Sequence, residues 1–274
     1  MCQVNEGFQT AKKETRLLFN INLMNLNTFH LKNVILYLLV AFLFQGCLVI
    51  RAKEMKYEKE EVLDLSRKRL TEIPPYVFEQ TQLKSLRLFH NEIKEIPSEI
   101  ANLENLEELY LASNQLISLP KEITQLKKLR ILTISYNKIE SLPESYGDLS
   151  NLEDFRARQN QLVELPESFG NLKKLESLQL QFNSLKSLPA SFGGCINLKF
   201  LFLGRNNITE ISDTFADLHN LKELYIAEAG PMLVLSERLC ELRFLEYIQV
   251  DRFAVIPRCL QVLQANRLRL DIIE

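Results

Sequence analysis

The sequence predicts an α/β solenoid: a curved parallel β-sheet on the concave side, with short helical or irregular returns on the convex side. Three observations carry that expectation. A leucine pattern recurs every 23 residues, with Leu83, Leu106, Leu129, Leu152, Leu175, Leu198 and Leu221 opening successive copies. Within each copy the fourth and sixth positions are apolar around a variable fifth, the alternation of a strand buried on one face. An asparagine and then a proline follow at fixed offsets, marking a tight turn and a return that is not a strand. Self-similarity at this period belongs to an array in which each copy buries its faces against its neighbours.

Residues 1–58 do not share the pattern. Asn33 to Ile50 is eighteen residues without a charge, just long enough to be considered as a membrane span. Its continuous apolar part, Val34–Phe44, is shorter and closer to the core of a signal peptide. Gly46-Cys47 resembles the lipobox of bacterial lipoproteins, which makes Cys47 a candidate for lipidation. Four readings fit this leader: a lipoprotein signal, a cleaved signal peptide, a membrane anchor, or a misassigned or unstructured leader; Met24 is a second possible start.

Residues 59–274 read as one solenoid of about nine repeats. The first, from Glu60, keeps the grid through Leu63, Leu65, Leu70 and Ile73 but has Lys68 in the asparagine slot, as a water-facing cap would. Asn91, Asn114, Asn137, Asn160, Asn183 and Asn206 form a ladder at position nine. An amide both donates and accepts, so each can satisfy the turn leaving its strand and bond to the next repeat. Pro74, Pro97, Pro120, Pro143, Pro166 and Pro189 open the returns. These bury one column of Ile100, Ile123, Tyr146, Phe169, Phe192 and Phe215, and a second of leucines in which Cys195 stands as a buried thiol. Late repeats depart from the grid: Ser212 replaces Pro, and Ala229 and Phe253 take asparagine slots. The ninth repeat, from Leu245, loses two residues, and 267–273 alternates as a last strand over the C-terminal edge.

The segments reading L-x-x-L-x-L-x-x-N-x-L-x-x-L-P, such as Leu106 to Pro120, resemble the leucine-rich repeat family over about three quarters of the chain. The Leu-Pro ending is similar to Ras-group-related and bacterial members. That resemblance implies a non-catalytic interaction scaffold that presents its concave strands to a partner. A bacterial surface module and an intracellular signalling scaffold of the Ras-group-related type both fit it.

Chemistry-bearing motifs are scarce. There is no phosphate loop, nucleophile elbow or metalloprotease motif, and Gly193-Gly194 is an isolated pair. Five cysteines without a C-x-x-C and three histidines (His30, His90, His219) give no metal cluster, and no cofactor is expected. Cys240 and Cys259 are expected as two lone thiols, with a bridge between them left open. The 33 basic and 35 acidic side chains give a net charge of −2. In the family's geometry positions 2, 3, 5, 7 and 8 face out, and from repeats two to nine these hold nine cations and nine anions. A nucleic-acid groove is one-signed, so no nucleic-acid partner is expected. Aromatics gather instead: Phe182, Phe200, Phe202, Tyr225 and Tyr247 fall on four neighbouring repeats, with Arg158 and Arg205 within reach. The expectation is a protein or peptide ligand centred on repeats six to eight, for a module exported, anchored at residues 33–50 or at lipidated Cys47, or, on the alternative, cytoplasmic.

Overall fold

The computed structural model describes residues 61–230, 233–264 and 267–273. The leader, with residues 33–50 and Cys47, lies outside the described residues. Among the described residues no helix is long and apolar enough to cross a membrane.

Each repeat contributes one short strand to a ten-stranded parallel sheet. Its strands are β1 (Val62–Asp64), β2 (Ser85–Arg87), β3 (Glu108–Tyr110), β4 (Ile131–Thr133), β5 (Asp154–Arg156), β6 (Ser177–Gln179), β7 (Phe200–Phe202), β9 (Glu223–Tyr225), β11 (Tyr247–Asp251) and β12 (Arg269–Ile273). Neighbours pair one repeat apart: Leu63, Leu86, Leu109, Leu132, Phe155, Leu178, Leu201, Leu224, Ile248 and Leu270 form one continuous inward row. The register is forced, because a slip of one residue would turn that row to solvent. β12 covers the last edge, as the alternation at 267–273 predicts.

The returns are 3-10 turns. Those starting at Pro75, Ser98, Lys121, Glu167 and Ala190 each follow a proline at the N-cap, with φ between −73° and −59°. Proline suits this site because its φ is fixed there and no amide donor is needed. Where serine replaces it, the side chain takes over. Ser212 Oγ accepts from the Thr214 N–H and Ser236 Oγ from that of Arg238. In these same repeats β8 (Glu210–Ile211) and β10 (Val234–Leu235) pair as a second, two-stranded sheet.

The core is two stacks of side chains between sheet and returns. Tyr146, Phe169, Phe192 and Phe215 pile up with centroids 5.9, 6.1 and 5.4 Å apart. Gly147 and Gly170 follow Tyr146 and Phe169 because the returns press together there. A Cβ at either would meet the carbonyl oxygen of the next return, Ser168 at 1.9 Å and Ser191 at 2.1 Å. A Cβ at Gly193 would likewise come within 2.4 Å of the Thr214 oxygen, and one at Gly194 within 2.4 Å of that of Gly170. The glycine pair thus serves packing. Cys195 is fully buried, and burial pushes its thiol up to about 12.

The expectation of lone thiols at Cys240 and Cys259 is overturned: the two form a disulfide, with Cα atoms 6.1 Å apart. The shortened ninth repeat brings α1 (Arg258–Gln264) against the 3-10 turn Glu237–Glu241, so cysteines 19 residues apart meet. On a strict 23-residue grid they do not align, which hid the pairing.

Candidate functional site

Each strand leaves the sheet through a left-handed residue. Position eight has φ between 53° and 60° in every repeat from the first to the eighth, at Arg67, His90, Ser113, Tyr136, Gln159, Phe182, Arg205 and Glu228. None is glycine, so each costs ~1–2 kcal/mol. In repeats two to seven the following asparagine offsets this. Asn137 Nδ2 donates to the carbonyls of Ile134 (2.8 Å) and Leu111 (3.1 Å), and Oδ1 accepts from the Leu116 N–H (3.0 Å). Asn91, Asn114, Asn160, Asn183 and Asn206 repeat the scheme. One donated bond stays within the repeat and the other two run to the preceding repeat, not to the next: the amide stands behind its own strand, beside the turn already laid down. The result is a rigid rim on which position eight is held outward.

On that rim Phe182 lies between two guanidinium groups, Arg158 of the repeat before and Arg205 of the repeat after, each 4.8 Å from the ring centroid. Arg158 also lies 5.8 Å from Tyr136, and Arg205 is ion-paired with Glu228 at 2.5 Å. Phe182 is therefore spent on its neighbours. The open aromatic surface is elsewhere, on the strands themselves. Phe202 and Tyr225 stack at 4.4 Å, and Tyr225 and Tyr247 tilt together at 4.9 Å. All three are half-buried. Phe200 stands in the parallel outward row, between Ser177 and Glu223.

Both tyrosine hydroxyls of this shelf donate to carboxylates, Tyr225 to Glu223 and Tyr247 to Asp271, each at 2.8 Å. Burial, then the bond to Glu223, pushes the Tyr225 phenol up to about 12. The bond from Tyr247 holds the Asp271 carboxyl below its usual value. Arg269 lies 5.5 Å from the Tyr247 ring. The shelf is thus stacked and tilted rings with their polar tips tied to carboxylates, the composition that recurs in protein interfaces. Beside it Lys199 pairs with Glu176 and Arg205 with Glu228, and farther along the face Arg130 pairs with Glu153 and Arg156 with Asp154. No group of side chains suited to a metal ion occurs among the described residues.

The sequence profile described as leucine rich repeat matches residues 61–116, 104–162 and 173–228, more than half of the chain. The chain belongs to the leucine-rich repeat family. Solved relatives agree in fold. A leucine-rich repeat protein of Leptospira interrogans is 25% identical, with TM-score 0.57 over 77% of this chain and 64% of its own. The leucine-rich repeat domain of the type III effector XopL is 23% identical, with TM-score 0.67 over 83% of this chain and 80% of its own. The ectodomain of an Arabidopsis thaliana membrane receptor kinase, solved in complex with Casparian strip integrity factor 2, is 34% identical. It has TM-score 0.60 over 66% of this chain and 22% of its own. The chain spans less than two thirds of the Leptospira protein. No curated protein matches the sequence.

Of the seven expected contact residues of this leucine-rich repeat protein, the structure groups Phe202, Tyr225 and Tyr247 in one shelf and Phe182, Arg158 and Arg205 in a separate rim cluster. Sequence reasoning missed Gln249 and Asp271, which continue the Phe202–Tyr225 row on β11 and β12. The signal was there, since the alternation at 267–273 places Arg269 and Asp271 on the outward face. Some outward positions carry small residues that are covered over, as at Ser85, Thr133 and Ser135. A second asparagine row was also missed. Asn105, Asn151, Asn197 and Asn220, each just before an opening leucine, donate to Thr81, Lys127, Lys173 and Ile196 of the repeat before.

Proposed function

We propose that the chain is a non-catalytic module that binds a protein or peptide ligand on its concave face, centred on repeats seven to nine, and that it acts outside the cytoplasm. The observation that carries the binding reading is the Phe202–Tyr225–Tyr247 shelf: three aromatic rings in contact across neighbouring strands, half-buried, with no core to fill on that side. Interface energy concentrates in such anchors. The sheet spans roughly 40 Å at ~4.8 Å per strand, enough for an interface of ~800 Å² per partner and too open to enclose a small metabolite. The plant receptor ectodomain, solved with a bound factor, is a precedent for an array of this fold holding another molecule.

The Cys240–Cys259 bridge supports the extracytoplasmic half of the reading, because disulfides persist in oxidising compartments. Ligand captured by the tagged full chain tests the first half. Phe202→Ala should weaken it by ~2 kcal/mol or more, and Glu107→Ala should not. Retained affinity in Phe202→Ala for a ligand mapped to the concave face overturns the proposed centre. For the second half, the mature N-terminus is read by mass spectrometry. A lipid-bearing start at Cys47, lost from the detergent phase in Cys47→Ala, supports anchoring. An intact Met1 in a cytosolic fraction favours the signalling scaffold.

A further inference from the structure

The charge balance counted over repeats two to nine does not extend to the first repeat. Asp64, Ser66, Arg67, Lys68, Phe89 and His90 line an open recess of about 590 Å³ where β1 and β2 leave the sheet. Arg67, Lys68 and His90 are exposed. Arg87 stands beside the recess on the sheet, one repeat from Asp64 in register, with its guanidinium 5.9 Å from the Tyr110 ring centroid. Farther along the face Arg130, Arg156, Lys199 and Arg205 sit against carboxylates, whereas Arg67, Lys68 and Arg87 make no ion pair among the described residues. The one carboxylate of the recess is already engaged, since Asp64 Oδ1 accepts the Ser66 N–H at 2.9 Å. Hydrogen bonds from Ser66 hold that carboxyl below its usual value, and the charges of Arg87 and Lys68 add to the effect, which places both cations around it.

The backbone that carries these charges is fixed. Arg67 and His90 are left-handed, and Asn91 Oδ1 accepts the Lys68 N–H at 2.9 Å and that of Leu70 at 3.1 Å. A preorganised donor set loses less on binding than a floppy one. One wall is apolar: Phe89 packs on Tyr110 at 5.2 Å. The recess is too large for a bare inorganic anion and too one-signed for a basic ligand.

We propose that this recess is a second anchor for the ligand and receives an acidic segment of it, carboxylates on Arg67, Lys68 and Arg87 and an apolar side chain against Phe89. The proposal rests on the concave-binding reading and extends it. From β2 to β9 is six strand spacings, roughly 30 Å at ~4.8 Å each, a distance that about nine residues of extended chain cover. One extended segment therefore reaches from this recess to the aromatic shelf, acidic at the first end and apolar at the other.

The test uses the full chain and an end-capped, fluorescein-labelled decapeptide of alternating glutamate and phenylalanine, followed by anisotropy at 50 and 300 mM salt. Binding should appear at low salt and weaken at least fivefold at high salt, as for exposed charges. A lysine–phenylalanine peptide should not bind. The double variant Arg67→Glu, Lys68→Glu should lose at least tenfold, and Lys121→Glu on the convex side should lose nothing. Both recess residues are exposed, and an unchanged thermal melt verifies that the variant folds. Equal binding of the two peptides, or an unaffected double variant, overturns the proposal. So does competition by inorganic phosphate at equal concentration, which marks a phosphate site. Capture on phosphatidylglycerol vesicles that the double variant abolishes, without peptide binding, marks a lipid contact and overturns it too. If captured ligand is sensitive to Phe202→Ala and not to the double variant, this inference falls and the concave reading stands.

Discussion

Phe202 and Tyr225 stack ring on ring across β7 and β9, their centroids 4.4 Å apart and their planes 13° from parallel. In the free protein each ring covers part of the other, so the pair contributes to folding as well as to any interface. Such a contact is worth ~0.5–1.5 kcal/mol beyond burial. Urea unfolding of Phe202→Ala, Tyr225→Ala and the double variant should give a coupling energy in that range. A coupling near zero would mean that the rings merely happen to lie together.

Tyr225 also sets a pH dependence. Its phenol is pushed up to about 12 by burial and by the bond to Glu223, against 10.0 without these effects. A raised folded-state value favours the neutral form. The contribution to stability is therefore complete below pH 10 and is lost as the pH climbs from about 10 towards about 12. Ultraviolet titration of tyrosinate should show a late-titrating group that disappears in Tyr225→Phe. The variant's melting temperature should fall less steeply than that of the wild type across this interval.

The asparagine ladder makes an asymmetric prediction. Asn137→Ala leaves the Ile134 and Leu111 carbonyls and the Leu116 N–H without their partner. Leaving buried polar groups unmatched costs ~1–3 kcal/mol. Lys68, in the same slot of the first repeat, is exposed and contributes only its backbone N–H to Asn91. Lys68→Ala should cost less than about 0.5 kcal/mol. Equal midpoint shifts in urea would show that the first repeat is as dependent on its slot as the middle ones.

What was legible in the sequence follows the period. Leu86, Asn91, Pro97 and Ile100 each recur 23 residues on, so strand, turn, return and core column could all be read without coordinates. Features that depend on two residues in different registers could not. The Cys240–Cys259 bridge arises because the ninth repeat is short. The division of the aromatics depends on which side of the strand exit each ring stands. Phe182, at the left-handed position, is turned to the rim and held by Arg158 and Arg205, whereas Phe202 remains in the sheet beside Tyr225. Charge counted over repeats two to nine gave balance. The excess at Arg67 and Lys68 lies in the first repeat, outside that count, and Arg87 adds to it as a cation without an ion pair among the described residues.

The disulfide ties the last return to the helix over the C-terminal edge. Closing a loop of 19 residues stabilises by roughly 3 kcal/mol on chain-entropy grounds. Cys240→Ser and treatment with dithiothreitol should lower the melting temperature by the same amount, and dithiothreitol should have no further effect on the variant. Cys195, fully buried with its thiol pushed up to about 12, should stay unlabelled by maleimide until the solenoid unfolds.

Tyr146 is the first aromatic of the core column and the only tyrosine in it. Its side chain is fully buried, stacked on Phe169 at 5.9 Å and against Phe155 at 5.2 Å. The hydroxyl reaches no hydrogen-bond partner, and desolvation pushes the phenol well above its usual value. The three positions below it in the stack, Phe169, Phe192 and Phe215, carry the same ring without the oxygen. Tyr146→Phe therefore removes an uncompensated polar group and keeps the packing. It should stabilise the solenoid by ~1–2 kcal/mol, at the lower end of the cost of an unmet buried group. Tyr146→Ala instead opens a hole in the stack and should destabilise by ~3–5 kcal/mol, the cost of deleting a buried aromatic ring. Denaturant midpoints of the two variants, measured at constant m-value, check both signs. A destabilised Tyr146→Phe would show that the hydroxyl is hydrogen-bonded in solution.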